Sequence, residues 1–162
     1  MRSKDILTLT EALGEKLIVR KMILTTVESC TGGLFSAQIT NTPGSSIWFD
    51  RGFITYSNQS KIDCVKVKKN TIEKFGAVSQ QTADEMALGA INNSQGNIAL
   101  SITGIAGPKG GSQLKPIGTI FFGIAKKENI IFQQKAFFKG NREEIREKAV
   151  LFALNQLLAL TL

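Results

Sequence analysis

The apolar positions Ile6, Leu7, Leu9, Leu13 and Leu17 recur at helical spacing and predict a helix over residues 4–19. The period then changes. MILTTV (22–27) is a short run of aliphatic and β-branched residues, the mark of a strand covered on both faces. It runs into ESCTGG, and GLFSAQIT beyond it returns to a helical pattern that Asn41-Thr42-Pro43-Gly44 stops. The unit is strand, tight glycine turn, helix. FDRGFITYS (49–57) is a second strand, and residues 58–76 read as short helical pieces ending at Gly76. Ser79 opens a longer helix with Ala83, Met86, Ala87 and Ala90 on a narrow apolar face, closed by the polar stretch Asn92–Gly96. NIALSITG (97–104) predicts strand three. After the loop IAGPKGGSQLKP, GTIFFGIAKK (118–127) and NIIFQQKAFFK (129–139) are strands four and five, close enough to pair as a hairpin. A last helix follows Gly140-Asn141-Arg142, with Ile145, Ala149, Phe152, Leu154 and Leu157 on its apolar stripe.

This succession predicts one α/β domain over residues 1–162, a mixed β-sheet of about five strands flanked by helices on both faces. No repeat or linker divides it, and the length suits one domain. No apolar run reaches the ~18 residues that a membrane span needs. MRSKDILTLTEAL places Asp5 and Glu11 inside an amphipathic helix pattern, which is not that of a secretion signal. The expected location is cytoplasmic, with no membrane partner.

Composition changes this picture at one point above all: the 162 residues include no histidine. A Ser-His-Asp triad, a Cys-His pair and a histidine-ligated metal are therefore excluded for this chain. Twenty Lys and Arg against thirteen Asp and Glu give a formal charge of +7, which fits either an anionic partner or non-specific basicity. The lysines are scattered, and the densest cluster (Lys61, Lys66, Lys68, Lys69) has a single aromatic nearby, Tyr56, which argues against nucleic acid. Cys30 and Cys64 do not make a disulfide framework. Self-association to a homo-oligomer is left open.

Candidate chemistry gathers in three glycine-containing loops that follow predicted strands: Glu28–Gly33, Thr103–Gly111 and Gly140–Arg142. Ligands in open α/β sheets sit beyond the carboxyl ends of strands, although strand order, and so convergence, is not readable here. In the first loop, Ser29 sits at the strand-to-helix turn, with Thr31, Gly32 and Gly33 opening the helix. A hydroxyl there faces an anion or a carbonyl carbon, with N–H donors near Thr31–Gly33 for an oxyanion. The alternative is a helix N-cap. Cys30 reads as a small buried thiol, and Glu28 as a base, an orienter, a solvated charge or a lysine's partner. Without histidine a serine nucleophile needs another base, and a partly desolvated lysine serves. Lys61 lies one helical turn past strand two and can reach back towards Ser29, with Tyr56 placed to orient it or relay a proton; a solvated Lys61 and a packing Tyr56 are the alternatives. Thr103, Gly104 and Lys109 belong to a loop that can wrap a phosphate, with an ordinary glycine-rich turn as the alternative. Arg142 opposes the dipole of the helix it opens and so invites an anion, unless it pairs with Glu143 or Glu144.

The segments ESCTGG (28–33), PGSSIWFDRGFITYSNQSK (43–61), FGAVSQQTADEMALGA (75–90), TGIAGPKGG (103–111), KPIGTIFFG (115–123) and GNREEIREKA (140–149) together resemble the C-terminal domain of the competence/damage-inducible protein CinA and its stand-alone amidase form. The resemblance covers nearly the whole chain. It implies hydrolysis of nicotinamide mononucleotide to nicotinic acid mononucleotide and ammonia, without metal or organic cofactor, on a phosphorylated nucleotide substrate. By motif it makes Ser29 the nucleophile, Lys61 the general base with Tyr56 close by, Thr103 a bond to the substrate or its oxyanion, and Arg142 an orienter of the site or the phosphate. The family's last motif more often reads Gly-Asp-Arg. Asn141 departs from it, with an expected weakening of the helix start or of a pair with Arg142. A non-catalytic phosphometabolite-binding or regulatory module of the same fold is the competing expectation.

Overall fold

Two buried runs form the heart of the sheet: β1 (Leu24–Glu28) and β3 (Ile98–Gly104), side by side and parallel, with Leu24 opposite Ile98 and Glu28 opposite Ile102. The computed structural model describes residues 3–160. Positions 1, 2, 161 and 162, which the expected first helix pattern and domain limits included, lie outside the described residues. β2 (Phe49–Ile54) flanks β1 in parallel, β4 (Thr119–Lys126) runs antiparallel to β3, and β5 (Asn129–Phe137) completes the hairpin, giving the order β2-β1-β3-β4-β5. The mixed five-stranded sheet matches the expected class.

Every residue of β1 is buried, because helices cover both faces. Alternation along β3 separates the two layers. Ile98, Leu100 and Ile102 join Leu24, Ile120, Phe122 and Ile124 under the helices α1 (Ser3–Val19), α2 (Leu34–Thr40) and α6 (Arg142–Leu160). Ala99 faces the opposite way, with Val27, towards α3 (Asn58–Val65), α4 (Lys69–Phe75) and α5 (Gln80–Asn92), where Val65, Ile72, Met86 and Ala90 meet it. Small side chains on this second face let α5 approach closely: Ser101 Oγ donates to the Ala83 carbonyl at 2.6 Å, and a Cβ on Gly123 would come within 3.1 Å of that same oxygen.

The expected strand limits needed correction at their edges, most of all in the first two strands. The first strand begins at Leu24, not residue 22, and the second ends at Ile54, so 55–57 form a loop. A single turn of 3₁₀ helix, Ser45–Ile47, follows the glycine stop after α2.

The topology decides where chemistry can sit. β1, β2 and β3 point one way, and two successive antiparallel pairings restore that direction in β5. The loops after these four strands therefore leave the same edge of the sheet. The three glycine loops, whose convergence depended on strand order, do converge.

Candidate active site

At that edge the loops enclose a cavity of about 270 Å³. Ser29 and Cys30 come from the β1 turn, Tyr56, Asn58 and Lys61 from the β2–α3 segment, Thr103–Gly107, Lys109 and Gly110 from the end of β3 and the loop after it, and Arg142 from the start of α6. Of the expected site residues, Ser29, Tyr56, Lys61, Thr103, Gly104, Lys109 and Arg142 are thus brought together. Thr31, Gly32 and Gly33 do not line the cavity. Sequence reasoning did not find Ala77 and Val78, which line the cavity from the α4–α5 connection.

The central contact joins Lys61 to Ser29. Lys61 is 1% exposed, and its Nζ lies 3.0 Å from Ser29 Oγ, 2.7 Å from the Thr55 carbonyl and 3.5 Å from the Ser57 carbonyl. Local structure explains the reach. Ser57 caps α3 by accepting from the Ser60 N–H, which starts the helix one turn before Lys61 and folds the lysine back under the strand end. Among the described residues no carboxylate pairs with Lys61. Burial therefore pushes its ammonium down to about 8. The three neighbours suit a neutral amine: its two N–H groups face carbonyls, and its lone pair faces a hydroxyl able to donate. The expectation of a solvated lysine is overturned by this burial.

Ser29 is not a helix cap. α2 follows Gly33, which adopts a left-handed conformation (φ 93°) and offers no side-chain cap. The caps come instead from Glu28, completely buried, whose Oε2 accepts from the N–H groups of Gly33 and Phe35 and whose Oε1 accepts from the N–H and hydroxyl of Ser36. Glu28 is neither a solvated charge nor a lysine's partner. The donors expected for an oxyanion also change. Gly32 N–H is spent on the Ser29 carbonyl and Gly33 N–H on Glu28, which leaves Thr31 and, on the cavity wall, Cys30.

Cys30 is 7% exposed, and burial pushes its thiol up to about 12, so it is a packed side chain and not a rival nucleophile. Thr103 is buried, and its hydroxyl donates to the Ala77 carbonyl at 2.8 Å. Its lone pairs remain to accept from a ligand N–H. That bond also draws the 77–78 segment into the wall.

Arg142 spans the mouth. Its Nη1 donates to the Gly107 carbonyl at 2.7 Å and its Nη2 to the Tyr56 hydroxyl at 2.9 Å, so it ties the loops after β2 and β3 together. Tyr56 is 61% exposed and meets Arg142, not Lys61 or Ser29. Arg142 makes no ion pair with Glu143 or Glu144. Glu144 instead closes a reciprocal cap: Asn141 Oδ1 accepts from Glu144 N–H, and Glu144 Oε2 accepts from Asn141 N–H. Asn141 thus keeps the helix start that the loss of an aspartate was expected to weaken.

Among the described residues, the charged ones on the cavity wall are all basic: Lys61, Lys109 and Arg142. Among the described residues no group of three His, Cys, Asp or Glu side chains is placed to hold a metal ion, and no helix is long and apolar enough to cross a membrane.

The description "CinA C-terminal domain" belongs to the family whose profile matches residues 6–161. The chain is 45% identical over 154 residues to the nicotinamide-nucleotide amidohydrolase PncC of Enterobacter agglomerans, covering 95% of this chain and 94% of that one. It is 41% identical over 157 residues to the protein of the same name from Escherichia coli strain K12, covering 97% and 95%. Among solved structures, the competence/damage inducible protein CihA from Agrobacterium tumefaciens superposes with a TM-score of 0.93 at 40% identity, over 98% of this chain and 96% of that one. A family match across nearly the whole length, with relatives above 40% identity, settles the classification: the chain belongs to the CinA C-terminal domain family.

Proposed function

We propose that this chain hydrolyses the carboxamide of nicotinamide mononucleotide to nicotinic acid mononucleotide and ammonia, with Ser29 as nucleophile and Lys61 as base. The observation that carries the reading is the buried Lys61 Nζ, 3.0 Å from Ser29 Oγ, at the floor of a cavity with cations at its mouth. The names of the two amidohydrolase relatives support the substrate.

Neutral Lys61 takes the hydroxyl proton as Ser29 Oγ adds to the carboxamide carbon. The Cys30 N–H group, on the cavity wall, holds the resulting oxyanion. Lys61 then returns the proton to the amide nitrogen, ammonia leaves, and an ester to Ser29 remains. Water, deprotonated by Lys61, cleaves that ester and frees the acid and Ser29. These steps balance with water as the only co-reactant, so no cofactor enters the proposal. Thr103 accepts a hydrogen bond from the carboxamide nitrogen, and Gly104 lets the chain pass close to the ring. Lys109 and Arg142 bind the phosphate, the latter with the three guanidinium N–H groups not spent on Gly107 and Tyr56. Tyr56 acts through Arg142, holding it over the mouth. Gly32 and Gly33 shape the turn and do not touch the substrate. A cytoplasmic location fits a nucleotide substrate and two free cysteines.

An ammonia assay with nicotinamide mononucleotide and the phosphate-free riboside tests this reading. The mononucleotide is the better substrate, and Arg142→Ala raises its KM by about tenfold, the loss of one charge-assisted contact, while the riboside's kcat/KM changes by less than about threefold. Tight mononucleotide binding with no ammonia over hours would favour a non-catalytic binding module.

A further inference from the structure

The mechanism leaves one buried charged group unused. Glu28 is fully buried at the end of β1, next to the nucleophile, and four donors converge on its two oxygens at 3.1, 3.1, 2.9 and 2.7 Å. A charge of this kind is retained inside a protein only when its surroundings satisfy it. Ordinary helix capping does not demand a glutamate here, since a Ser or Asp just before the helix would suffice. Gly33 occupies that position, and the cap arrives from five residues earlier, across the whole turn.

We infer that Glu28 is the positioning residue of the nucleophile turn, fixing Ser29 Oγ against Lys61 by tying the end of β1 to the start of α2; the inference rests on the serine–lysine reading above. The geometry is that of a closed ring. Glu28's backbone is fixed in the sheet, its carbonyl accepting from the Thr55 N–H at 2.8 Å, and its carboxylate grips Gly33, Phe35 and Ser36. Ser29 lies in the loop so closed, with its own N–H bound to the Ile102 carbonyl at 2.9 Å. The same Thr55 presents its carbonyl to Lys61 Nζ. Nucleophile and base are thus referenced to one another through two adjacent strand ends. The grip extends one step further. Ser36 Oγ donates to Glu28, so the Thr26 hydroxyl, 2.7 Å from Ser36 Oγ, donates to Ser36 in turn. A Cβ on the neighbouring Gly52 would fall 2.5 Å from Ser36 Oγ, so glycine at 52 leaves this chain its space.

Glu28→Gln is the informative change. It preserves size and places an NH₂ against backbone N–H donors whichever way the amide turns, against Gly33 and Phe35 in one orientation and against Ser36 in the other, so at least one grip is lost. The expected result is a kcat for nicotinamide mononucleotide lower by at least about tenfold, with KM within about threefold of wild type, because the cavity mouth is untouched while the attack geometry loosens. Ser36→Ala removes one of the four donors and is expected to lower kcat by about threefold with KM unchanged. Wild-type kcat in folded Glu28→Gln overturns the assignment. So does a KM that rises in step with the fall in kcat, which would report a deformed cavity. If Glu28→Gln does not fold, Ser36→Ala decides, and an unchanged kcat there overturns it. A wild-type chain that releases no ammonia would instead contradict the proposed function. The rate of Ser29 capture by a serine-directed fluorophosphonate then makes the same comparison: slower capture in the variants supports the positioning role, and capture equal to wild type overturns it.

Discussion

Ser29→Ala should lower ammonia release from nicotinamide mononucleotide by a factor on the order of 10⁴ or more, while binding of the mononucleotide changes by less than about threefold. The size follows from covalent catalysis: without Oγ no acyl-enzyme forms, and only the cavity's binding and donor groups remain. The neighbouring thiol offers no detour. Cys30 is 7% exposed and its ionisation is pushed up to about 12, so almost no thiolate exists at neutral pH. The methyl group left at position 29 removes a hydroxyl that caps no helix, so the fold should survive and the effect be read as chemistry. Single-turnover ammonia release together with calorimetric binding checks the prediction, and wild-type turnover by Ser29→Ala would refute the nucleophile assignment.

Lys61→Met should lose activity to a similar degree and should also stabilise the protein, a pairing that a merely structural lysine would not produce. In the folded state Lys61 titrates at about 8; in the unfolded chain it titrates near 10.4. The sign follows from linkage. Below about pH 8 both states hold the proton, and the folded state bears the full cost of a buried ammonium. Between these two values the unfolded chain binds more protons than the folded one, so wild-type stability rises with pH until both forms are neutral. A buried thioether bears no such cost, and the loss of the Nζ contact to the Thr55 carbonyl offsets part of the gain. The net expectation is roughly 1 kcal/mol of stabilisation at pH 7, shrinking towards pH 10. Denaturant unfolding at the two pH values measures it. A Lys61→Met variant less stable than wild type at pH 7 would show that burial of the amine is not strained.

The elements of this fold were legible because their periods differ so plainly: a β-branched run at 22–27, a narrow small-residue face on α5, a hairpin through 127–129. What sequence could not supply was strand order, since pairing between β1 and β3 joins residues about seventy positions apart and leaves no local mark. The convergence of the glycine loops followed only from that order. The Ser29–Lys61 pair was readable as types and as reach, because absence of histidine left lysine as the base and one helical turn set its distance. Glu28 did leave a signal, a carboxylate ending a buried strand before a glycine turn, but the same letters also describe a solvated charge, and Ser29 offered itself as the cap. The Arg142–Tyr56 bond and the Thr103–Ala77 bond had no signal at all, being contacts across loops of 86 and 26 residues' separation. Asn141 shows the reverse case: a departure from a family pattern that local geometry absorbs, because an amide oxygen caps a helix as a carboxylate does.

The central claim is that neutral Lys61 activates Ser29 for attack on a carboxamide. The most direct measurement is kcat/KM for nicotinamide mononucleotide between pH 6 and pH 10, followed by ammonia release. Because the active form is the free amine and its ammonium is held at about 8, kcat/KM should rise about tenfold per pH unit below that value and level off above it. A profile flat from pH 6 to pH 9, or no ammonia at any pH, would contradict the account.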